Sequence, residues 1–275
     1  MPFVAANGIR TYYEMVGEGA PLLLIAGNGM DHTAFRDQVS VFSPHFRCVT
    51  YDLRGIGRSD VPDAGYTVPD MACDALTLLD ALGMPQAHVA GYSLGGAIAL
   101  QMAIDAPNHV GSLSLYSTFS HVEPYLRRRY EILLEILVGT TPALWAMFTT
   151  FSAFGEAYIN AHDDEIGKEI ALRISRWKGP DAPSKVGLVG HYRAILGHEV
   201  RSRLAEIRCP TWIAVGSSDP VTPPSYARYL HEHIAGSRIS IYEGAPHRLL
   251  NFTPRFNADA LEFLLDARHA AKLGV

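Results

Sequence analysis

His88-Val89-Ala90-Gly91-Tyr92-Ser93-Leu94-Gly95-Gly96 is a short apolar run entering G-x-S-x-G, and Ala97-Ile98-Ala99-Leu100-Gln101-Met102-Ala103 continues it with strong helix formers. The pattern predicts a strand, a sharp turn and a helix, with the Ser93 hydroxyl pushed clear of the backbone. Gly91 and Gly95, two positions either side of the serine, supply the clearance that lets strand and helix approach closely. The pentapeptide alone is a weak signal, and its weight comes from the elements around it.

Upstream, Asn7-Gly8 separates two short β-like runs and predicts an opening hairpin. Leu22-Leu23-Leu24-Ile25-Ala26 is a continuous apolar run of the kind carried by a strand buried on both faces. Gly27-Asn28-Gly29-Met30-Asp31-His32-Thr33 leads from it into a helix-like Ala34 to Phe42. Arg47 to Tyr51 reads as the next strand and ends in the polar turn Asp52-Leu53-Arg54-Gly55-Ile56-Gly57-Arg58-Ser59. Val68 to Leu82 is helical, with Met71, Ala75, Leu78, Leu79 and Leu82 on one stripe and Gly83 as a stop.

Downstream, Val110 to Ser117 is another strand, and the alternation then stops at about Phe119. Residues 119–204 read as helical, broken at Pro142, Gly155, Gly179-Pro180 and Pro183. Alternation resumes with the strand at Cys209 to Gly216, a helix at Pro224 to His233, the strand Arg238 to Tyr242 and a closing helix from Arg255 to Arg268. The expectation is an α/β fold, a doubly wound and mostly parallel sheet built from residues 1–118 and 205–275. Residues 119–204 are expected as an all-helical cap, a lid over the strand ends.

The chain has 275 residues, 48% hydrophobic and 19% charged, with a net charge of −5, which is ordinary globular composition without a nucleic-acid footprint. Cys48, Cys73 and Cys209 are odd in number and widely spaced, so buried thiols are expected rather than disulfides or a metal site. The amino-terminal residues lack a basic region followed by an apolar core, giving no secretory signal and a cytoplasmic expectation. Residues 136–155 carry no charged side chain, yet Gly139, Pro142 and five threonines or serines favour buried or pocket-lining helices over stable membrane insertion. His231-Glu232-His233 is read as solvated helix surface, because helical residues two apart do not share a face.

A serine becomes a useful nucleophile only beside a base that is itself held in one tautomer by a carboxylate. Two loops offer those groups at the carboxyl ends of predicted strands: Gly216-Ser217-Ser218-Asp219-Pro220 and Gly244-Ala245-Pro246-His247. Ser93, Asp219 and His247 thus stand in the order serine, acid, histidine. The competing roles are a helix cap for Asp219 and a surface position for His247, one of twelve histidines. The oxyanion donors are expected at the backbone N–H of Leu94 and in the loop after the early buried strand, at Asn28. Gly27-Asn28-Gly29 lacks the third glycine of a dinucleotide loop, and no metal or organic cofactor is called for.

On Gly91-Tyr92-Ser93-Leu94-Gly95-Gly96, the Asp52 to Ser59 turn, Gly216-Ser217-Ser218-Asp219 and Gly244-Ala245-Pro246-His247, the chain resembles an α/β-hydrolase with a helical cap across nearly its full length. Within that superfamily it is most similar to the enol-lactonase and esterase-like branch. Many members carry His-Gly where this chain has Ala26-Gly27, a replacement familiar in enol-lactonase-like members that leaves the second donor open between Asn28 and Gly29. Ser rather than Asp at position 93 disfavours haloalkane dehalogenase and epoxide hydrolase chemistry, which this fold runs on a carboxylate.

The reading is a serine hydrolase that cleaves a small-molecule carboxylic ester or lactone through an acyl-enzyme. Tyr92, Trp145, Phe148 and Phe151 are the candidate substrate-binding residues; Trp145, Met147, Phe148, Phe151 and Phe154 form an aromatic-rich, charge-free stretch that reads either as partly walling an apolar pocket or as a lid packed on its own helices. Arg127-Arg128-Arg129 reads either as a solvated helix face or as a contact for a substrate carboxylate. Two rivals remain: a carbon–carbon bond hydrolase that uses the same three residues, and a ligand-binding receptor that uses the fold with slow or absent turnover, against which the intact Ser93, Asp219 and His247 set argues.

Overall fold

In the computed structural model, which describes residues 2–179, 182–253 and 255–273, the chain opens with strands Phe3–Ala6 (β1) and Ile9–Val16 (β2). They pair antiparallel across Asn7 and Gly8, whose φ values of 48° and 79° give the left-handed pair that a two-residue hairpin needs. Six further strands follow: Ala20–Ile25 (β3), Phe46–Tyr51 (β4), Ala87–Tyr92 (β5), Val110–Tyr116 (β6), Thr211–Gly216 (β7) and Arg238–Tyr242 (β8). The sheet order is β1-β2-β4-β3-β5-β6-β7-β8, parallel from β4 to β8.

The apolar run of β3 explains its central place. Leu23 and Ile25 enter one core while Leu22 and Leu24 enter the other, and all four are buried. The first core is closed by helices Val68–Ala81 (α2), Leu94–Asp105 (α3) and, through Tyr226, Ala227 and Leu230, Pro224–His233 (α9). The second is closed by Arg36–Phe42 (α1), through Phe42, and by Phe256–Leu273 (α10), through Phe256, Ala260, Phe263 and Leu264. α2 begins with a capping box in which Thr67 and Asp70 bond each other's backbone N–H, and it stops before Gly83 at φ 69°.

The Asp52 to Ser59 turn, polar in sequence, is largely buried. Asp52 accepts from the N–H groups of His32 and Arg58 at 2.7 and 2.8 Å, and Arg54 forms a buried pair with Asp74, both bonds 2.6 Å. The expectation for the cysteines is corrected in part. Cys48 is buried, but Cys209 is half-buried and Cys73 exposed, because two residues from Met71 the helix has turned its apolar stripe away.

Between β6 and β7 the chain makes one helical excursion: Pro124–Gly139 (α4), Pro142–Phe151 (α5), Glu156–Ala161 (α6), Asp163–Arg176 (α7) and Lys185–Leu196 (α8). Pro180, one of the expected breaks, lies outside the described residues. The excursion is pinched at its base, where His121 bridges Glu199 and the Val200 N–H reaches Ser120 O at 2.9 Å. α4 packs on α8 and α5 on α7. No helix among the described residues is long and apolar enough to cross a membrane.

Burial of His88, His191 and His198 predicts an acid-sensitive fold. Burial pushes His88, His191 and His198 each down to about 4, so the unfolded chain, with ordinary histidines near 6.5, binds protons first. Their stabilisation is complete above about pH 6.5 and is lost as pH falls towards 4, roughly 2 kcal/mol per histidine at pH 5. Urea unfolding at pH 7 and pH 5 should show a loss of several kcal/mol, and equal midpoints would refute it.

Candidate active site

The strand-to-helix turn is as tight as its glycines require. A Cβ on Gly91 would sit 2.2 Å from Gly95 O, and one on Gly95 would sit 2.1 Å from Ile25 O, so α3 rests against the ends of both β5 and β3. Gly96 is equally constrained, since its Cβ would fall 2.5 Å from that of Thr118. Ser93 itself has φ 53° and ψ −115°, a conformation costing about 1–3 kcal/mol. Its N–H donates to Tyr116 O at 2.9 Å and its carbonyl accepts from Thr118 Oγ1 at 2.7 Å, which holds the turn in place.

Three chain-distant side chains meet at this turn. His247 Nε2 lies 3.2 Å from Ser93 Oγ, and His247 Nδ1 lies 2.8 and 3.0 Å from the two Asp219 oxygens. Because the carboxylate faces Nδ1, the proton resides there and the Nε2 lone pair faces the serine hydroxyl. Asp219 does not cap α9. Its Oδ1 accepts from the Val221 and Thr222 N–H groups at 2.8 and 2.9 Å, and Oδ2 accepts from Thr222 Oγ1 at 3.0 Å. These donors satisfy the buried carboxylate's oxygens in the interior, with Asp219, Ser93 and His247 only 3%, 4% and 7% exposed. Thr222 is absent from the sequence reading, although Asp with a hydroxyl residue three places on is a turn signal.

The loop after β3 brings Asn28 and Gly29 to the same place. Gly29 N–H points to His191 Nδ1 at 3.5 Å, while His191 Nε2 donates to Arg54 O at 2.9 Å. Burial, with Arg54's charge adding to it against the Arg54 carbonyl bond, pushes His191 down to about 4, so its ring is neutral and able to accept. Among the described residues no acceptor takes the Asn28 N–H. Leu94 is the first residue of α3, so its N–H has no partner inside the helix.

Ser93 and His247 open on a cavity of about 410 Å³ that Tyr92, Tyr130, Trp145 and Tyr192 also line. The Tyr92 ring stands 5.2 Å from the His247 ring, and Trp145 Nε1 donates to Tyr192 OH at 2.9 Å. Phe148 and Phe151 are not among the lining residues, which corrects the expected aromatic wall. On α5, Trp145 and Thr149 share the stripe that faces the cavity. Phe148 packs on the first core instead, and Phe151 is 64% exposed, as is Met147 at 50%. Phe154 is buried and stacks on Tyr158 at 5.0 Å, lining a separate groove.

Nor is the cavity apolar. Arg36, Arg129, Arg173, Arg176 and Arg248 line it with Asp31, Asp37 and Glu169. Of the run Arg127-Arg128-Arg129, only Arg129 reaches it, the other two being exposed. Arg173 and Glu169 carry no sequence signal beyond lying on a charged helix, since only the fold of the excursion turns that face inward. Among the described residues no His, Cys, Asp and Glu cluster suits a metal ion.

The profile of the alpha/beta hydrolase fold family matches residues 20–250. The "Putative carbamate hydrolase RutD" of Azorhizobium caulinodans is 29% identical over 264 residues, 96% of this chain and 98% of that protein. The crystal structure of a hydrolase from Pseudomonas aeruginosa is 27% identical with a TM-score of 0.84, covering 95% of this chain and 97% of that one. The enol-lactonase of Burkholderia xenovorans shares the fold at a TM-score of 0.86 and 23% identity, covering 96% of this chain and all of that one at 100%. With a strained serine turn, eight strands in this order and a family match running from β3 through the excursion to β8, the chain belongs to the alpha/beta hydrolase fold family.

Proposed function

We propose that this protein hydrolyses carboxylic esters or lactones through a covalent acyl-enzyme, with Ser93 as nucleophile, His247 as general base and acid, and Asp219 orienting the imidazole. The observation that carries the reading is the unbroken line from Asp219 through His247 to Ser93, at 2.8 and 3.2 Å. Ser93 Oγ attacks the carbonyl carbon as its proton passes to His247 Nε2. The N–H groups of Asn28 and Leu94 hold the resulting oxyanion, with Gly29 turned to His191. Collapse expels the alcohol, protonated by His247, and leaves the acyl group on Ser93. Water, deprotonated by His247, then adds to the acyl carbon and releases the acid. The excursion of α4 to α8 acts as a cap that shapes the entrance and sets specificity.

A carbamate presents the same carbonyl to the same atoms, and the curated relatives favour this as a second reading, since they carry the carbamate hydrolase name. Acid release in a pH-stat from a short-chain ester, a long-chain ester and an unsubstituted lactone is the test, with ammonia release from ethyl carbamate beside it. Turnover of an ester or the lactone is the expected result. Turnover of ethyl carbamate alone would favour the second reading, and silence on all four would reject both.

A further inference from the structure

Around the mouth of the candidate nucleophile the arginines outnumber the acids, and the imbalance is local. Five arginines, Arg36, Arg129, Arg173, Arg176 and Arg248, line the cavity against three acids, Asp31, Asp37 and Glu169, and among the described residues Glu169 is the one acid that bonds any of Arg129, Arg173 and Arg248. Arg173 Nε and Arg248 bond the same Glu169 oxygen, at 2.8 and 3.0 Å. Among the described residues, Arg129 bonds only neutral acceptors, Ser152 O at 2.9 Å and Ser152 Oγ at 2.7 Å. Arg248 directly follows His247, Arg173 comes from α7 and Arg129 from α4, so three separate segments deliver guanidinium groups to one cavity.

Such an excess is costly when it serves only as a brace. The Arg173 and Arg248 side chains are 24% and 21% exposed, and partly desolvated charges of one sign repel. Burial, with the Arg248 charge adding to it against the support of Glu169, lowers the proton affinity of the Arg173 guanidinium. Glu169 is held ionised against its own burial by the bonds and charges of both arginines, leaving it no capacity to neutralise a third. An entering carboxylate would relieve this repulsion, and its two oxygens match the planar fork of a guanidinium.

We propose that Arg129, Arg173 and Arg248 form a subsite for an ionised carboxylate, so that the preferred substrates are half-esters or lactones bearing a free carboxylate beside the bond that is cleaved. This rests on the reading of Ser93 as nucleophile and names the substrate class of that site. The anchor fixes one end of the substrate, and the carbonyl then meets Ser93 in one orientation.

The test compares kcat/KM for 4-nitrophenyl hydrogen glutarate against 4-nitrophenyl pentanoate, which places the charge on the acyl part. 4-Acetoxybenzoate against phenyl acetate places it on the alcohol part. One charged ester of the two pairs should be preferred at least tenfold in low salt, with the preference shrinking in 0.5 M NaCl because the groups are partly exposed. Arg129→Met and Arg248→Met should each lower that charged-to-neutral ratio about tenfold or more, whereas Arg128→Met, an exposed neighbour paired with Glu131, should leave it unmoved. Arginines that serve only as a brace would lower both members of a pair together and leave the ratio as it was. Calorimetric titration of glutarate into the Ser93→Ala protein reads the subsite without turnover. Binding that Arg129→Met abolishes upholds the subsite even if every ester is inert. Absence of glutarate binding, or neutral esters cleaved as well as both charged ones, overturns it.

Discussion

Ser93→Ala is expected to lower kcat on the best ester or lactone by about 10⁶ while leaving the fold intact. Alanine keeps the Cβ, so the backbone strain at φ 53° is unchanged. The two bonds that hold the turn, from Ser93 N–H to Tyr116 O and from Thr118 Oγ1 to Ser93 O, involve only the serine backbone and survive the substitution. The loss is therefore chemical, and thermal unfolding should show it by a nearly unchanged midpoint. His247→Ala should cost about as much, and the double variant scarcely more, because base and nucleophile act as a unit. Retention of more than about one part in a hundred of the wild-type kcat would mean that another group attacks the substrate, and the assignment of Ser93 would fall.

Asp219→Asn should cost about 10⁴ in kcat, for a reason visible in the hydrogen bonds. Oδ1 of Asp219 takes two backbone N–H groups at 2.8 and 2.9 Å, so the amide oxygen of asparagine must occupy that place. The amide NH₂ then falls where Oδ2 now stands, 2.8 Å from His247 Nδ1. It can only donate there, which forces the ring proton onto Nε2 and removes the lone pair that would accept the Ser93 proton. Geometry is kept while the tautomer is wrong. Single-turnover kinetics on a nitrophenyl ester should show acylation slowed by that factor with KM little changed. A loss under tenfold would show that Asp219 serves only to build its loop.

The serine turn was legible because its demands are local. Gly91, Ser93 and Gly95 sit within five residues, and the clash of any added Cβ with Gly95 O or Ile25 O follows from the tightness of one strand-turn-helix unit. Asp219 and His247 were legible because they follow predicted strands that end in glycine-bearing loops, and parallel strands expose their carboxyl ends on one edge. The cavity-facing residues of the helical excursion were not legible. Phe148 and Phe151 are the more apolar members of α5, yet Trp145 and Thr149 face the cavity, because α7 packing on α5 fixes which stripe turns inward. His191 likewise sits in a helix with no sequence mark, and it meets Gly29 and Arg54 only because α8 folds back over the sheet.

By itself, then, the sequence determined the layered architecture, the position of the serine turn and the order of its two partners, since each depends on periodicity and steric rules acting within a few residues. Tertiary structure alone decided the character of the cavity. Arg129, Arg173 and Arg248 lie 44 and 75 residues apart along the chain, and charge excess is a property of three-dimensional proximity, which falls off over a few ångströms and leaves no trace in local sequence.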